Sequence, residues 1–122
     1  MTWFAVDFGC GNMLSLSRTQ GETMDVRTED ELKVATAAGS VLVDFWATWC
    51  GPCQMMGQTI EREIVPSMPS LKVVKVNVDE APELAAKFGV MSIPALFCFK
   101  DGVKCGEFVG VTDAAEIRGC LA

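Results

Sequence analysis

Two thiols stand three residues apart in Cys50-Gly51-Pro52-Cys53, a spacing at which their Cα atoms can approach within disulfide range. Pro52 sits where a helix would begin, so Cys50 lies just outside a helix start whose unpaired N–H groups and dipole favour an anion. Its thiolate is expected to be stabilised and therefore nucleophilic. A ring this small removes little unfolded-chain entropy, so the disulfide would be easily reduced, which suits exchange better than stapling. Half of a zinc site is the competing reading. The chain has no His and no second Cys-x-x-Cys pair, so no metal is expected.

The elements that must hold this pair are legible around it. Val41-Leu42-Val43-Asp44-Phe45-Trp46-Ala47 is a near-continuous apolar run, the pattern of a strand buried on both faces. Asp44 is its anomaly: a carboxyl there is either desolvated with a raised pKa or paired, unless the strand turns it to water. After Pro52, Met55, Met56, Ile60 and Ile64 recur at helical spacing until Pro66. Upstream, Thr28-Glu29-Asp30-Glu31 reads as a capping box opening a helix that ends before Gly39. Val73, Val74, Val76 and Val78 mark another strand, and Pro82 opens a short helix that stops at Gly89. Residues 95–100 and 103–109 flank Asp101-Gly102, a strong hairpin signal. Thr112 is expected to cap a last helix with Ala115, Ile117 and Leu121 inward. The result is an α/β domain with a mixed sheet flanked by helices.

Composition narrows the function classes. The 122 residues are enough for one domain. Ten Lys+Arg against sixteen Asp+Glu give a net charge of −6, a field that repels phosphate backbones and anionic membranes, so no nucleic acid and no membrane is expected as partner. The apolar runs are too short to span a bilayer. No Lys or Arg precedes Arg18 and Asp7 interrupts the N-terminal run, so no secretory signal is expected. Six cysteines without a signal suggest reduced thiols, metal ligands or redox chemistry rather than a disulfide framework, and the protein is expected in the cytoplasm. Residues 1–23 show no sustained periodicity and are read as an N-terminal extension, leaving 24–122 as the domain.

The segment Val43-Asp44-Phe45-Trp46-Ala47-Thr48-Trp49-Cys50-Gly51-Pro52-Cys53 resembles the active-site signature of the thioredoxin family. The resemblance continues through Lys75-Val76-Asn77-Val78-Asp79, Phe88-Gly89-Val90, Ser92-Ile93-Pro94-Ala95-Leu96, Lys100-Asp101-Gly102 and Val109-Gly110. It implies the thioredoxin fold, a central mixed sheet of five strands with four helices, and reduction of protein disulfides without a bound cofactor. It further implies that Cys50 attacks a substrate disulfide and Cys53 resolves the mixed disulfide. Asp44 would exchange a proton with Cys53, with Lys75 as its charge partner. Asp44→Ala is then expected to raise stability and slow exchange. By the same resemblance Ile93-Pro94 is cis and faces the cysteines, whereas sequence alone favours a trans strand-start proline. The Ile93 backbone would pair with an extended substrate segment, and Trp49, Gly51, Pro52, Met91, Ile93 and Gly110 would form a flat apolar docking patch. The implied partners are disulfide-containing proteins and an NADPH-dependent thioredoxin reductase, acting on a monomer.

The chain departs from the family pattern in places. Gln54 replaces a common basic residue, removing one charge that would favour the Cys50 thiolate. Gly57 replaces a common helix-kinking proline, so the helix is expected to be straighter or locally weaker. With a plain two-residue turn at Asp101-Gly102, Cys98 would face Cys105 across the hairpin, unless a bulge shifts the register. Cys10 and Cys120 are read as plain thiols. Two other functions are weighed against the reductase: a binding or accessory module of the same fold, which activity retained in Cys50→Ser would favour, and an oxidant or isomerase, against which Gly51-Pro52 argues.

Overall fold

The computed structural model describes residues 22–122; the rest of the expected extension, Cys10 included, lies outside the described residues. The strands are β1 (Glu22–Asp25), β2 (Ser40–Trp46), β3 (Lys72–Asn77), β4 (Ala95–Lys100) and β5 (Val103–Val109). The helices are α1 (Glu29–Thr36), α2 (Gly51–Thr59), α3 (Pro82–Lys87) and α4 (Ala114–Leu121), and a π-helical turn, Ile60–Ile64, prolongs α2. The five strands form one sheet in the order β1-β3-β2-β4-β5. β1 and β2 run parallel to β3, β4 is antiparallel to β2, and β5 to β4.

The period-2 alternation of β2 divides the core into two layers. Val41, Val43 and Phe45 join Leu32 and Ala35 of α1 and Leu84 and Ala85 of α3. Leu42 joins Met56, Ile60 and Ile64 on one side and Ile117 and Leu121 of α4 on the other. Every residue from Val41 to Phe45 is buried, so the strand has helices over both faces, as its apolar run predicts. In the first layer Phe45, Phe88 and Phe97 meet with ring centroids 5.3–5.6 Å apart. Such pairs add about 0.5–1.5 kcal/mol each to their burial.

Local signals explain the element ends. The Thr28 hydroxyl accepts from Glu31 N–H at 3.1 Å, and the Glu31 carboxylate accepts from Thr28 N–H at 3.2 Å and Arg27 N–H at 2.8 Å, completing the expected capping box. The N–H groups of Arg27 and Thr28 hold the Glu31 carboxyl below its ordinary value. Asp101 and Gly102 take φ of 51° and 87°, the left-handed pair that a two-residue hairpin turn requires.

The structure corrects three details. The cap of α4 is Asp113, not Thr112; the Thr112 hydroxyl instead donates to Gly110 C=O at 3.0 Å. The inward residue of the first α4 turn is Ala114, and Ala115 is exposed, because 114, 117 and 121 share one face at spacings of three and four, whereas 115 lies two residues from Ile117 and points away. Cys98 does not face Cys105: the pairing runs Phe99↔Lys104 and then Cys98↔Gly106, with Cys105 as the extra residue of a bulge. β1 itself was not expected as a separate strand. Its four residues, Glu22-Thr23-Met24-Asp25, carry no apolar alternation, and its place comes from parallel pairing with β3.

Candidate active site

The C-terminal end of β2 delivers the chain to the start of α2, and Cys50 sits at that junction as the helix N-cap, with φ −93° and ψ 106°. Its Sγ accepts from Cys53 N–H at 3.1 Å. Gly51 and Pro52 fill the first helical positions, where the missing proline N–H costs nothing. Cys50 and Cys53 are joined by a disulfide, with Cα atoms 5.2 Å apart. Both are buried, packed with Ala47 and against Trp46, Val78 and Ile93. The arrangement places one sulfur where the N–H groups of a helix start converge, so that sulfur is the better bearer of negative charge.

Asp44 lies on the α2 side of the sheet, 1% exposed, and its Oδ1 has no hydrogen-bond partner. Burial pushes its carboxyl from 3.8 up to about 6, with the positive charge of Lys75 pulling the other way. Lys75 is its register neighbour on β3 and sets its ammonium 4.6 Å above the Trp46 ring. The geometry meets the sequence expectation of a desolvated carboxyl near a lysine rather than an edge Asp facing water. A cavity of about 20 Å³ opens between Asp44, Lys75, Gly57 and Ile60, room for one water-sized group. α2 passes through Gly57 without a proline kink. Its irregularity comes three residues later, where Val65 N–H reaches back to Ile60 C=O at 2.9 Å, a π-type bond.

The remaining predicted residues lie on the segments after β2, before β4 and after β5. The Ile93-Pro94 bond is cis, as the resemblance implies and against the trans form that sequence alone favours. Ile93 packs on the cysteine cluster, and Pro94 C=O accepts from Gly110 N–H at 2.8 Å. Trp49 is 67% exposed and Met91 96% exposed, the exposure a docking surface needs. Two contacts at the site were not expected from sequence. Asp79 accepts from the Trp49 indole N–H at 2.8 Å, and Gln54, noted only for the charge it lacks, donates to Thr48 C=O at 3.2 Å, tying the loop before Cys50 to the helix after it. Asp79 does fall inside a segment that carries the family resemblance, but its spacing to Trp49 is thirty residues and no local pattern links them.

Fold and site together define a thiol–disulfide oxidoreductase with one active dithiol, Cys50 and Cys53. The thioredoxin family model matches residues 23–122. The chain is 48% identical over 83 residues to the thioredoxin of Bacillus subtilis, spanning 68% of this chain and 80% of that one. It is 43% identical over 90 residues to the thioredoxin of Listeria monocytogenes, spanning 74% and 87%. Among solved structures, a mutant thioredoxin from Halobacterium salinarum superposes with a TM-score of 0.75 at 34% identity, covering 86% of this chain and 92% of that one. Oxidised mitochondrial thioredoxin 3 of Saccharomyces cerevisiae gives 0.72 at 29%, covering 80% and 92%. The chain belongs to the thioredoxin family. Among the described residues no helix is long and apolar enough to cross a membrane.

Proposed function

We propose that the protein works as a reductant of protein disulfides, with Cys50 as nucleophile and Cys53 as resolving thiol. The observation that carries this reading is the N-cap placement of Cys50 Sγ under the Cys53 N–H. In the reduced protein the Cys50 thiolate attacks one sulfur of a substrate disulfide, forming a mixed disulfide and releasing the other substrate sulfur as a thiolate. Cys53 then loses its proton and attacks Cys50 Sγ, releasing the second substrate thiol and closing the Cys50–Cys53 disulfide. Two electrons pass to the substrate and no cofactor takes part.

Asp44 is the proton acceptor for Cys53 in this scheme, and Lys75 tunes it. A carboxyl titrating at about 6 is mostly ionised near neutral pH yet basic enough to take a proton, which is the compromise a general base needs. Substrate docks on the exposed apolar side chains of Trp49 and Met91 beside Gly51, Pro52, Pro94 and Gly110. An extended segment pairs with the Ile93 backbone, which lies just before β4. The partners are disulfide-containing proteins on one side and an NADPH-dependent thioredoxin reductase on the other, and the protein carries electrons between them as a cytoplasmic monomer.

Reduction of insulin disulfides with catalytic dithiothreitol tests the reading, followed by precipitation of the freed chain. Turnover is expected in the natural chain and loss in Cys50→Ser and Cys53→Ser, with Cys53→Ser accumulating a mixed disulfide. Absence of turnover from the folded, reduced chain would overturn it in favour of a binding module of the same fold.

A further inference from the structure

Three thiols outside the active dithiol converge at the far half of the sheet: Cys98 on β4, Cys105 on β5 and Cys120 on α4. Cys105 and Cys120 Sγ lie 3.9 Å apart. Each thiol also points at the other residue's backbone, Cys105 Sγ to Cys120 C=O at 3.6 Å and Cys120 Sγ to Cys105 C=O at 3.4 Å. Two features of the sequence bring them together. The bulge inserts Cys105 between Lys104 and Gly106, and its thiol reaches Cys98 C=O at 3.4 Å. Gly106 supplies the other half: a Cβ at that position would overlap Cys120 Sγ as it is placed, so the glycine leaves the room that this thiol occupies over the strand.

Cys105 is exposed, Cys120 half-buried and Cys98 fully buried, so an external reagent meets Cys105 first and Cys98 last. The bulge lies opposite Leu42 through Cys98, four residues along β2 from Trp46, or roughly 13 Å of strand before the chain even reaches Cys50. The active dithiol of the same molecule is therefore not the reagent.

We propose that Cys105 and Cys120 form a second, reversible disulfide that staples α4 to the β4–β5 hairpin, made by exchange with a small aliphatic disulfide. The Cys105 thiolate attacks one sulfur of the reagent, releasing one small thiol and leaving a mixed disulfide. The Cys120 thiolate attacks Cys105 Sγ, releasing the second small thiol. The two protons lost by the cysteines end on the two released thiols, and the reagent takes up the two electrons. Burial raises the pKa of Cys105, with the neighbouring Cys120 adding to it, and raises that of Cys98 further still. The reaction is accordingly slower than exchange at an N-capped thiol, and Cys98 stays out of it.

The test uses the full chain and oxidised glutathione, followed by alkylation of remaining thiols, trypsin digestion and mass spectrometry without reduction. Cleavage after Lys87, Lys100, Lys104 and Arg118 separates Cys98 (88–100), Cys105 (105–118) and Cys120 (119–122) into different peptides. A cross-link of 105–118 to 119–122, undone by dithiothreitol, is expected, with Cys98 alkylated. Cys120→Ser should instead hold glutathione on Cys105, and Cys105→Ser should show no cross-link, so either variant serves if the other fails to fold. The natural chain should gain about 5–10 °C in Tm over Cys120→Ser under oxidation, because the staple closes a short loop. A stable glutathione adduct on Cys105 of the natural chain, a cross-link through Cys98 or Cys10, or one between two chains overturns the proposal.

Discussion

Replacing Asp44 by Asn removes the charge and keeps the volume, and the effect on stability should depend on pH in one direction only. The folded carboxyl titrates at about 6 against an ordinary 3.8, so folding favours its neutral form. The associated stability is fully present below the ordinary value and is lost as pH rises through about 6. That displacement corresponds to about 3 kcal/mol at neutral pH and above, at 1.36 kcal/mol per tenfold change in proton affinity. Near pH 4 both chains carry a neutral group and should unfold within about 1 kcal/mol of each other. Near pH 8 the Asn variant should be the more stable by up to about 3 kcal/mol, which at an m of about 1.5 kcal/mol/M is a rise of about 2 M in the urea midpoint. The assay is urea unfolding by far-UV circular dichroism from about pH 4 to 8, with Cys50–Cys53 kept oxidised so that neither active-site thiol titrates. A gain of equal size at both ends of the range would mean that packing, not charge, sets the difference. No gain at pH 8 would refute the desolvated carboxyl outright, and with it the reason to expect Asp44→Ala to stabilise.

Two further outcomes follow from contacts away from the sulfurs. Thr28→Ala removes one arm of the capping box and should lower stability by about 1 kcal/mol without changing m; an unchanged urea midpoint would show that α1 is held by packing alone. Asp79→Ala frees the Trp49 indole N–H. Because both groups are exposed, stability should change by less than about 0.5 kcal/mol. The KM for insulin should nonetheless rise about 2- to 10-fold, the worth of one hydrogen bond, while kcat holds; an unchanged KM would remove Trp49 from the docking surface.

What sequence could deliver depended on whether the relevant signal was local. The capping box, the Asp101-Gly102 turn and the apolar run of β2 each sit within a few residues, and each recurs in the structure as expected. Asp44 was legible because a carboxyl inside a β-branched and aromatic run contradicts its surroundings. The misses share a different cause. β1 has no pattern of its own and exists through its pairing with β3. The bulge at Cys105 leaves no trace in a hairpin whose turn residues are ideal, since one extra residue on one strand is a property of two strands together. Asp79 and Trp49 meet only because β3 ends beside the loop that follows β2.

The placement of β2 connects the cost of Asp44 to the chemistry beside it. A strand parallel to one neighbour, antiparallel to the other and covered on both faces is fixed in register on every side. The helix start after it is therefore fixed as well, and Cys50 Sγ is held under the Cys53 N–H rather than merely near it. The same burial removes water from Asp44, and the alternation of the strand turns that carboxyl toward α2, where Gly57 and Ile60 line the cavity beside it. A surface carboxylate at the same point of the chain would ionise at its ordinary value and be too weak a base to take a thiol proton. On the proposed role of Asp44 as proton acceptor, stability surrendered at neutral pH and basicity gained at the site are one quantity measured twice. A variant that restores the ordinary pKa of Asp44, such as one admitting water through an enlarged cavity at Ile60→Ala, should slow exchange with Cys50, Cys53 and Asp44 all in place and should flatten the pH dependence of unfolding; an unaltered pH dependence would mean that the substitution made a cavity and nothing more.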